Sequence, residues 1–99
     1  MSLSAPEPEL PRWTFLTNHA HVLITLSRDP ELRQKDIAYN VGITVGAVHR
    51  ILHDLEEAGY ITSERVGRRK RYTIDSQQPM RHPLENQHSI NDLITSLEQ

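Results

Sequence analysis

Arg65, Arg68, Arg69, Lys70 and Arg71 put five of the chain's eleven lysine and arginine side chains within seven positions. Gly67, in their midst, can take positive φ and turn the chain, so the cluster reads as the tip of a hairpin. Guanidinium groups crowded on such a tip suit phosphate contact, or insertion into a narrow minor groove, because their planar forks of donors match phosphate oxygens. Every phosphate neutralised releases counterions, so affinity from this source falls steeply with salt. The plainer alternative is a solvated loop whose charge serves solubility. Four consecutive basic residues favour nucleic-acid contact over it.

A second group lies upstream, on one side of a predicted helix from Val45 to Ala58. Thr44 is a good N-cap for it, and Gly59 ends it. Val48, Ile51, Leu52 and Leu55 form a stripe at helical spacing, which is the side that packs. Gly46, His49, Arg50 and His53 take the other side, which faces water or a partner. Thr44, Val45 and Gly46 stand at the helix N-terminus, the part of such a helix that reaches base edges. Val45 suits a thymine methyl, and Gly46 permits close approach of the backbone. His49 and Arg50 are placed to donate to guanine or to phosphate, with Gln34 and Lys35 at the preceding helix start holding the nucleic-acid backbone. Gly46 costs about 1 kcal/mol of helix propensity relative to alanine, which asks for a steric reason. Packing against a neighbouring helix would be a structural one, and Arg50 has an alternative partner in Asp54, four residues on.

The six histidines raise metal binding. His49 and His53 are four apart on one helix, a spacing that can hold zinc. His19 and His21 lie in the first helix, and His82 and His88 flank the last. The chain has no cysteine, and no third ligand stands at useful spacing from His49 and His53, so neither a metal nor another cofactor is expected. Protonation near pH 6.5 would instead add positive charge to the helix face that carries them. No nucleophile motif, phosphate-cradling glycine loop or pair of carboxylates in an evident cleft is present, so no enzyme is expected.

The elements that must position these groups follow from periodicity. Asp36, Ile37 and Ala38 open a short helix, Gly42 allows the turn past its end, and Ile43 plugs the turn before Thr44. Helix, glycine turn and a second helix with a polar outer face make a helix-turn-helix, whose second helix enters the major groove. Upstream, Asn18 is a plausible cap for a helix to about Arg28, with Val22, Leu23 and Leu26 buried and Asp29-Pro30 ending it. Glu31, Leu32 and Arg33 form an extended link. After Gly59 the pattern alternates, giving strands near Ile61–Val66 and Arg71–Ile74, a hairpin that serves as a wing. Ser76 to His82 is a loop. From about Pro83 a last helix shows Leu84, Ile90, Leu93, Ile94 and Leu97, a stripe too apolar for water. It either caps its own domain or pairs with its copy, and Trp13 and Phe15 could join such an interface.

Ninety-nine residues make one domain with a modest core. No run reaches the apolar length of a membrane span, and MSLSAPEPEL lacks the features of a secretory signal, so a cytoplasmic location is expected. The net charge of −2 hides an uneven distribution. Residues 33–74 carry eight basic and five acidic side chains, against two and four in residues 1–32 and one and four in residues 75–99. The middle is thus positive between acidic flanks, and the local field governs binding.

The segment IAYNVGITVGAVHRILHDLEEAGYI, with Ala38, Gly42, Thr44, Val48 and Leu52 in place, resembles the winged helix-turn-helix of small prokaryotic transcription regulators of the MarR and ArsR type. WTFLTNHAHVL, the wing VGRRKRY and RHPLE further resemble a short actinobacterial-type subgroup. The resemblance implies an α+β, mostly helical fold of three helices plus a β-hairpin wing, with an additional C-terminal dimerisation helix. It also implies double-stranded DNA as partner and a homodimer that reads two half-sites. The chain lacks the longer flanking helices of full-length MarR proteins, and a small-molecule effector is left unassigned. The expected organisation is a disordered tail over 1–12, a DNA-binding winged helix over 13–76 and a dimerisation helix over 83–98. The alternative is a winged helix used for protein–protein interaction, its basic wing on an acidic partner, with RNA binding a third reading.

Overall fold

A computed structural model describes residues 10–98. In order it contains α1 (Asn18–Arg28), α2 (Gln34–Val41), α3 (Val45–Glu57), β1 (Ile61–Val66), β2 (Arg69–Ile74) and α4 (Ile90–Ser96). Thr17, not Asn18, caps α1: its hydroxyl accepts from the Ala20 N–H, while Asn18 bonds His21 Nδ1 at 3.1 Å. The apolar stripes meet as their spacing requires. Val22, Leu23 and Leu26 of α1, Ile37 and Ala38 of α2, and Val48, Ile51, Leu52 and Leu55 of α3 form one buried cluster with Tyr60, Ile61, Tyr72 and Ile90.

The turn between α2 and α3 is held from both sides. Gly42 has φ 86°, and its N–H and that of Ile43 both donate to the Ala38 carbonyl, which closes the end of α2. The Leu10 side chain, itself largely exposed, rests on Gly42 and would have to shift for a Cβ there, so the positive φ is what calls for glycine. The first nine residues of the tail expected over 1–12 lie outside the described residues. No helix among the described residues is long and apolar enough to cross a membrane.

The C-terminal region departs from expectation. No helix starts at Pro83; α4 spans only Ile90–Ser96. Residues 76–89 form turns instead, tied down by the Tyr60 hydroxyl donating to the Pro79 carbonyl at 2.6 Å and by Met80 N–H to His88 O. Ser89 and Asp92 form a reciprocal capping box, which starts the helix there and nowhere earlier. Of the stripe expected to pair between chains, Ile90 is only 4% exposed and belongs to its own core, and Ile94 packs against that core. Ile90 has no surface left for a partner, whereas Ile94 keeps part of its surface open. Trp13, Phe15, Leu84 and Leu97 remain exposed, and Leu93 is half-buried. This burial generates a direct test: Ile90→Ala should lower unfolding free energy by about 2–5 kcal/mol, whereas Leu84→Ala should change it by under about 0.5, in urea denaturation followed by circular dichroism.

Candidate nucleic-acid interface

The wing is a two-stranded antiparallel ladder in which Glu64 pairs with Arg71, Arg65 with Lys70 and Val66 with Arg69. Its turn is tighter than the sequence suggests. β2 starts at Arg69 rather than Arg71, so Gly67 (φ 65°) and Arg68 alone make the turn. Arg69, Lys70 and Arg71 are therefore strand residues, alternating between the two faces. The crowded tip becomes a charged ladder. Arg65 and Lys70 stand opposite each other, a like-charge pairing that costs stability in isolation. Among the described residues neither has a carboxylate within ion-pair distance.

Arg71 differs from its neighbours. Its Nε and Nη2 both donate to Glu31 Oε2, at 3.1 and 2.9 Å, and the Tyr72 N–H donates to the Pro30 carbonyl at 2.9 Å. These bonds stitch the wing to the segment before α2. Arg71 is thus a positioning residue held by a carboxylate, not an open cation as the sequence suggests.

The stitch creates a cleft of about 220 Å³ between the wing and the start of α2, with Arg33, Gln34, Arg68, Arg69, Lys70 and Tyr72 among its lining residues. Arg33, the N-cap of α2, gives no side-chain cap, and the Arg33 carbonyl accepts from Asp36 and Ile37. The N–H groups of Gln34 and Lys35 therefore open outward at the positive end of the helix. Open N–H groups beside guanidinium and ammonium groups suit an oxyanion. Tyr72 is 5% exposed, and burial pushes its phenol up while the Gln34 side chain acts in the opposite sense. Arg33 escapes sequence reasoning, where it reads as link. Its signal is its place one residue before a helix start, the position from which a long side chain reaches ligands of the helix N-terminus.

On α3, the Thr44 hydroxyl accepts from the Ala47 N–H at 3.1 Å and opens the helix. Val45, Gly46, His49, Arg50 and His53 are exposed, opposite the buried stripe. A Cβ added at Gly46 would meet only Thr44 Oγ1, at 3.9 Å. Packing against another helix is thereby removed as the reason for this glycine. Tyr39, 68% exposed on α2 and four residues from Lys35, extends the exposed surface and escapes sequence reasoning because it reads as helix filler.

Asp54 does not take up the alternative role of partner to Arg50. It pairs with His19 of α1, Nε2 to Oδ2 at 2.9 Å, and not with Arg50. Arg50 has no ion-pair partner among the described residues. The hydrogen bond from His19 holds the Asp54 carboxyl below the usual carboxylate range, with nearby charges of His53 and Arg50 adding to it. His53 lies 3.7 Å from Glu57. Among the described residues no three His, Cys, Asp or Glu side chains are grouped to hold a metal.

Residues 17–62 match a protein family described as winged helix-turn-helix DNA-binding. The match begins at the cap of α1 and ends in β1, so it takes in the whole helix-turn-helix and the root of the wing. The fold is a winged helix. Among solved structures it is similar to the crystal structure of a predicted DNA-binding transcriptional regulator from E. coli, at 22% identity and a TM-score of 0.56, over 79% of this chain and 70% of that one. No curated protein matches the chain. Every cation named above, Arg71 included, lies on the surface, and among the described residues Arg71 is the one held by a carboxylate, that of Glu31.

The α1–α3 ion pair gives the winged helix a defined acid response. A depressed carboxyl contributes stability above its unfolded-state titration, and that contribution is lost as pH falls through the folded value. Asp54→Asn should therefore flatten the fall in stability below about pH 4, read from urea midpoints across pH.

Proposed function

We propose that this protein binds double-stranded DNA with sequence specificity and regulates transcription, as a homodimer of the prokaryotic type, without enzymatic activity and in the cytoplasm. α3 enters the major groove with Thr44, Val45 and Gly46 at the base edges and His49, Arg50 and His53 along the groove wall. Arg65, Arg68, Arg69 and Lys70 of the wing, with Arg33, Gln34 and Lys35 at the start of α2, hold the flanking phosphates. The observation that carries this reading is that Arg33, Arg68, Arg69 and Lys70 gather around one cleft at the start of α2, outnumbering the single carboxylate there, Glu31, which Arg71 already engages. The like-charged pair Arg65 and Lys70 supports it, since an external anion relieves a repulsion that no carboxylate among the described residues offsets. The description of the matched family and that of the E. coli regulator point the same way.

Gly46 adds a specific expectation. With its Cβ position open, the missing methyl makes room for something outside the chain, and a base edge with its thymine methyl is that occupant.

Two measurements test the reading. A fluorescence titration of duplex DNA at several salt concentrations should show steep salt dependence. Replacing Arg68, Arg69 and Lys70 together by alanine should lower the slope of log K against log salt by about 2–3, at about 0.9 for each phosphate no longer neutralised. A folded protein that fails to bind duplex DNA at low salt, or a variant with an unchanged slope, refutes the proposal. Gly46→Ala should leave the fold intact or raise its stability by up to about 1 kcal/mol. The same variant should bind its operator at least about tenfold more weakly, a loss of roughly 1.4 kcal/mol.

A further inference from the structure

We infer that the cleft between the wing and the start of α2 is a site for a diphosphate group carried on a small molecule, which competes there with the DNA backbone. The binding step stands on the cleft alone; its consequence, release of DNA, rests on the proposed function. Arg33, Arg68, Arg69 and Lys70 line the cleft, and among the described residues none of the four has a carboxylate within ion-pair distance. Glu31, the one acid on its walls, already accepts two hydrogen bonds from Arg71. Four positive charges thus line the cleft without an internal counterion among the described residues.

Size and charge together select the ligand. A cavity of about 150 Å³ holds benzene, with its six non-hydrogen atoms, so the cleft's volume of about 220 Å³ corresponds to about nine. A diphosphate group, two phosphorus and seven oxygen atoms, has that size, and it carries roughly three negative charges near neutral pH. A DNA strand matches the cleft less well. Its phosphates carry one charge each and are separated by whole sugars, while a compact volume of about 220 Å³ is only roughly 6 Å across. One backbone phosphate thus meets the four cations with a single charge. Two directly linked phosphates meet them with about three.

The cleft is also held in shape. Its two walls are joined by the bonds from Arg71 to Glu31 and by the Tyr72 N–H donating to the Pro30 carbonyl at 2.9 Å. Arg33 is free to serve a ligand because it makes no side-chain cap for α2. Guanidinium groups hold phosphate oxygens through paired N–H donors, which suits three arginines around one compact anion. Tyr72 lines the cleft while only 5% exposed, so it offers a nucleotide base almost no ring face to stack on. A base would have to find its contacts outside the cleft.

Isothermal titration calorimetry of the full chain at low salt tests the site, with inorganic pyrophosphate, adenosine diphosphate and orthophosphate as probes at matched ionic strength. Pyrophosphate should bind at least about tenfold more tightly than orthophosphate. Equal binding of pyrophosphate and the nucleotide identifies the bare group as what is recognised, whereas a tighter nucleotide identifies a nucleotide as its source. Arg33→Ala and Arg69→Ala should each weaken pyrophosphate binding by about tenfold. Arg81→Ala removes the same charge outside the cleft and should change it by under about twofold. All three side chains are exposed, so thermal melts should match wild type. No binding of pyrophosphate, equal affinity for orthophosphate, or cleft variants that bind as tightly as wild type overturn the inference. Pyrophosphate should also displace duplex DNA at an ionic strength where sodium chloride does not, and DNA that stays bound overturns the competition. The two readings fail separately: pyrophosphate binding without DNA binding sinks the proposed function alone, and the reverse sinks the site alone.

Discussion

The burial of one side of α3 is the constraint on which the rest depends. Val48, Ile51, Leu52 and Leu55 are withdrawn from water by α1, α2 and the strand that follows. A helix has only one side left once such a stripe is committed, so Val45, Gly46, His49, Arg50 and His53 are turned outward by geometry. Gly42 lets α2 fold against this helix at a sharp turn, and Thr44 sets where it begins. The presented face is a consequence of packing, not an arrangement that the exposed residues maintain themselves.

The wing obeys a different rule. A two-stranded ribbon is marginal alone and needs an anchor. Ile61 and Tyr72 supply it at the root, where both are buried, and the bonds from Tyr72 to Pro30 and from Arg71 to Glu31 fix the angle at which the ribbon leaves the core. One basic side chain is thereby held by a carboxylate while its neighbours stay open. The distinction matters for how the charge is read, because five cations on a line of sequence are not five equivalent ligands. Position across the ladder separates them: Arg71 faces Glu64 and reaches Glu31, whereas Lys70 faces Arg65.

The C-terminal stretch shows where periodicity misleads. Ile90, Leu93, Ile94 and Leu97 have helical spacing, and Leu84 extends the same apparent stripe. Spacing carries no information about where a helix starts when the residues before it have tertiary bonds to make. Tyr60 draws Pro79 in, residues 76 to 80 pair with residues 88 to 91, and the chain reaches Ser89 already anchored. Leu84 is then left on a turn, and Ile90 is claimed by the core. An apolar stripe that reads as one surface divides into a buried part and an exposed part.

The sequence by itself determined the order and type of the three core helices, the glycine turn, the hairpin after α3 and which side of α3 is buried. Each of these depends on local propensity or on spacing within one element, quantities that residue order encodes directly. Only the tertiary structure decided which side chains meet across elements. It paired Asp54 with His19 rather than Arg50, joined Arg71 to Glu31, brought Arg33 beside Lys70, left the Gly46 Cβ position empty and confined α4 to seven residues. Those outcomes depend on distances between residues far apart in the chain. Such distances come into being only when the apolar faces have closed on one another.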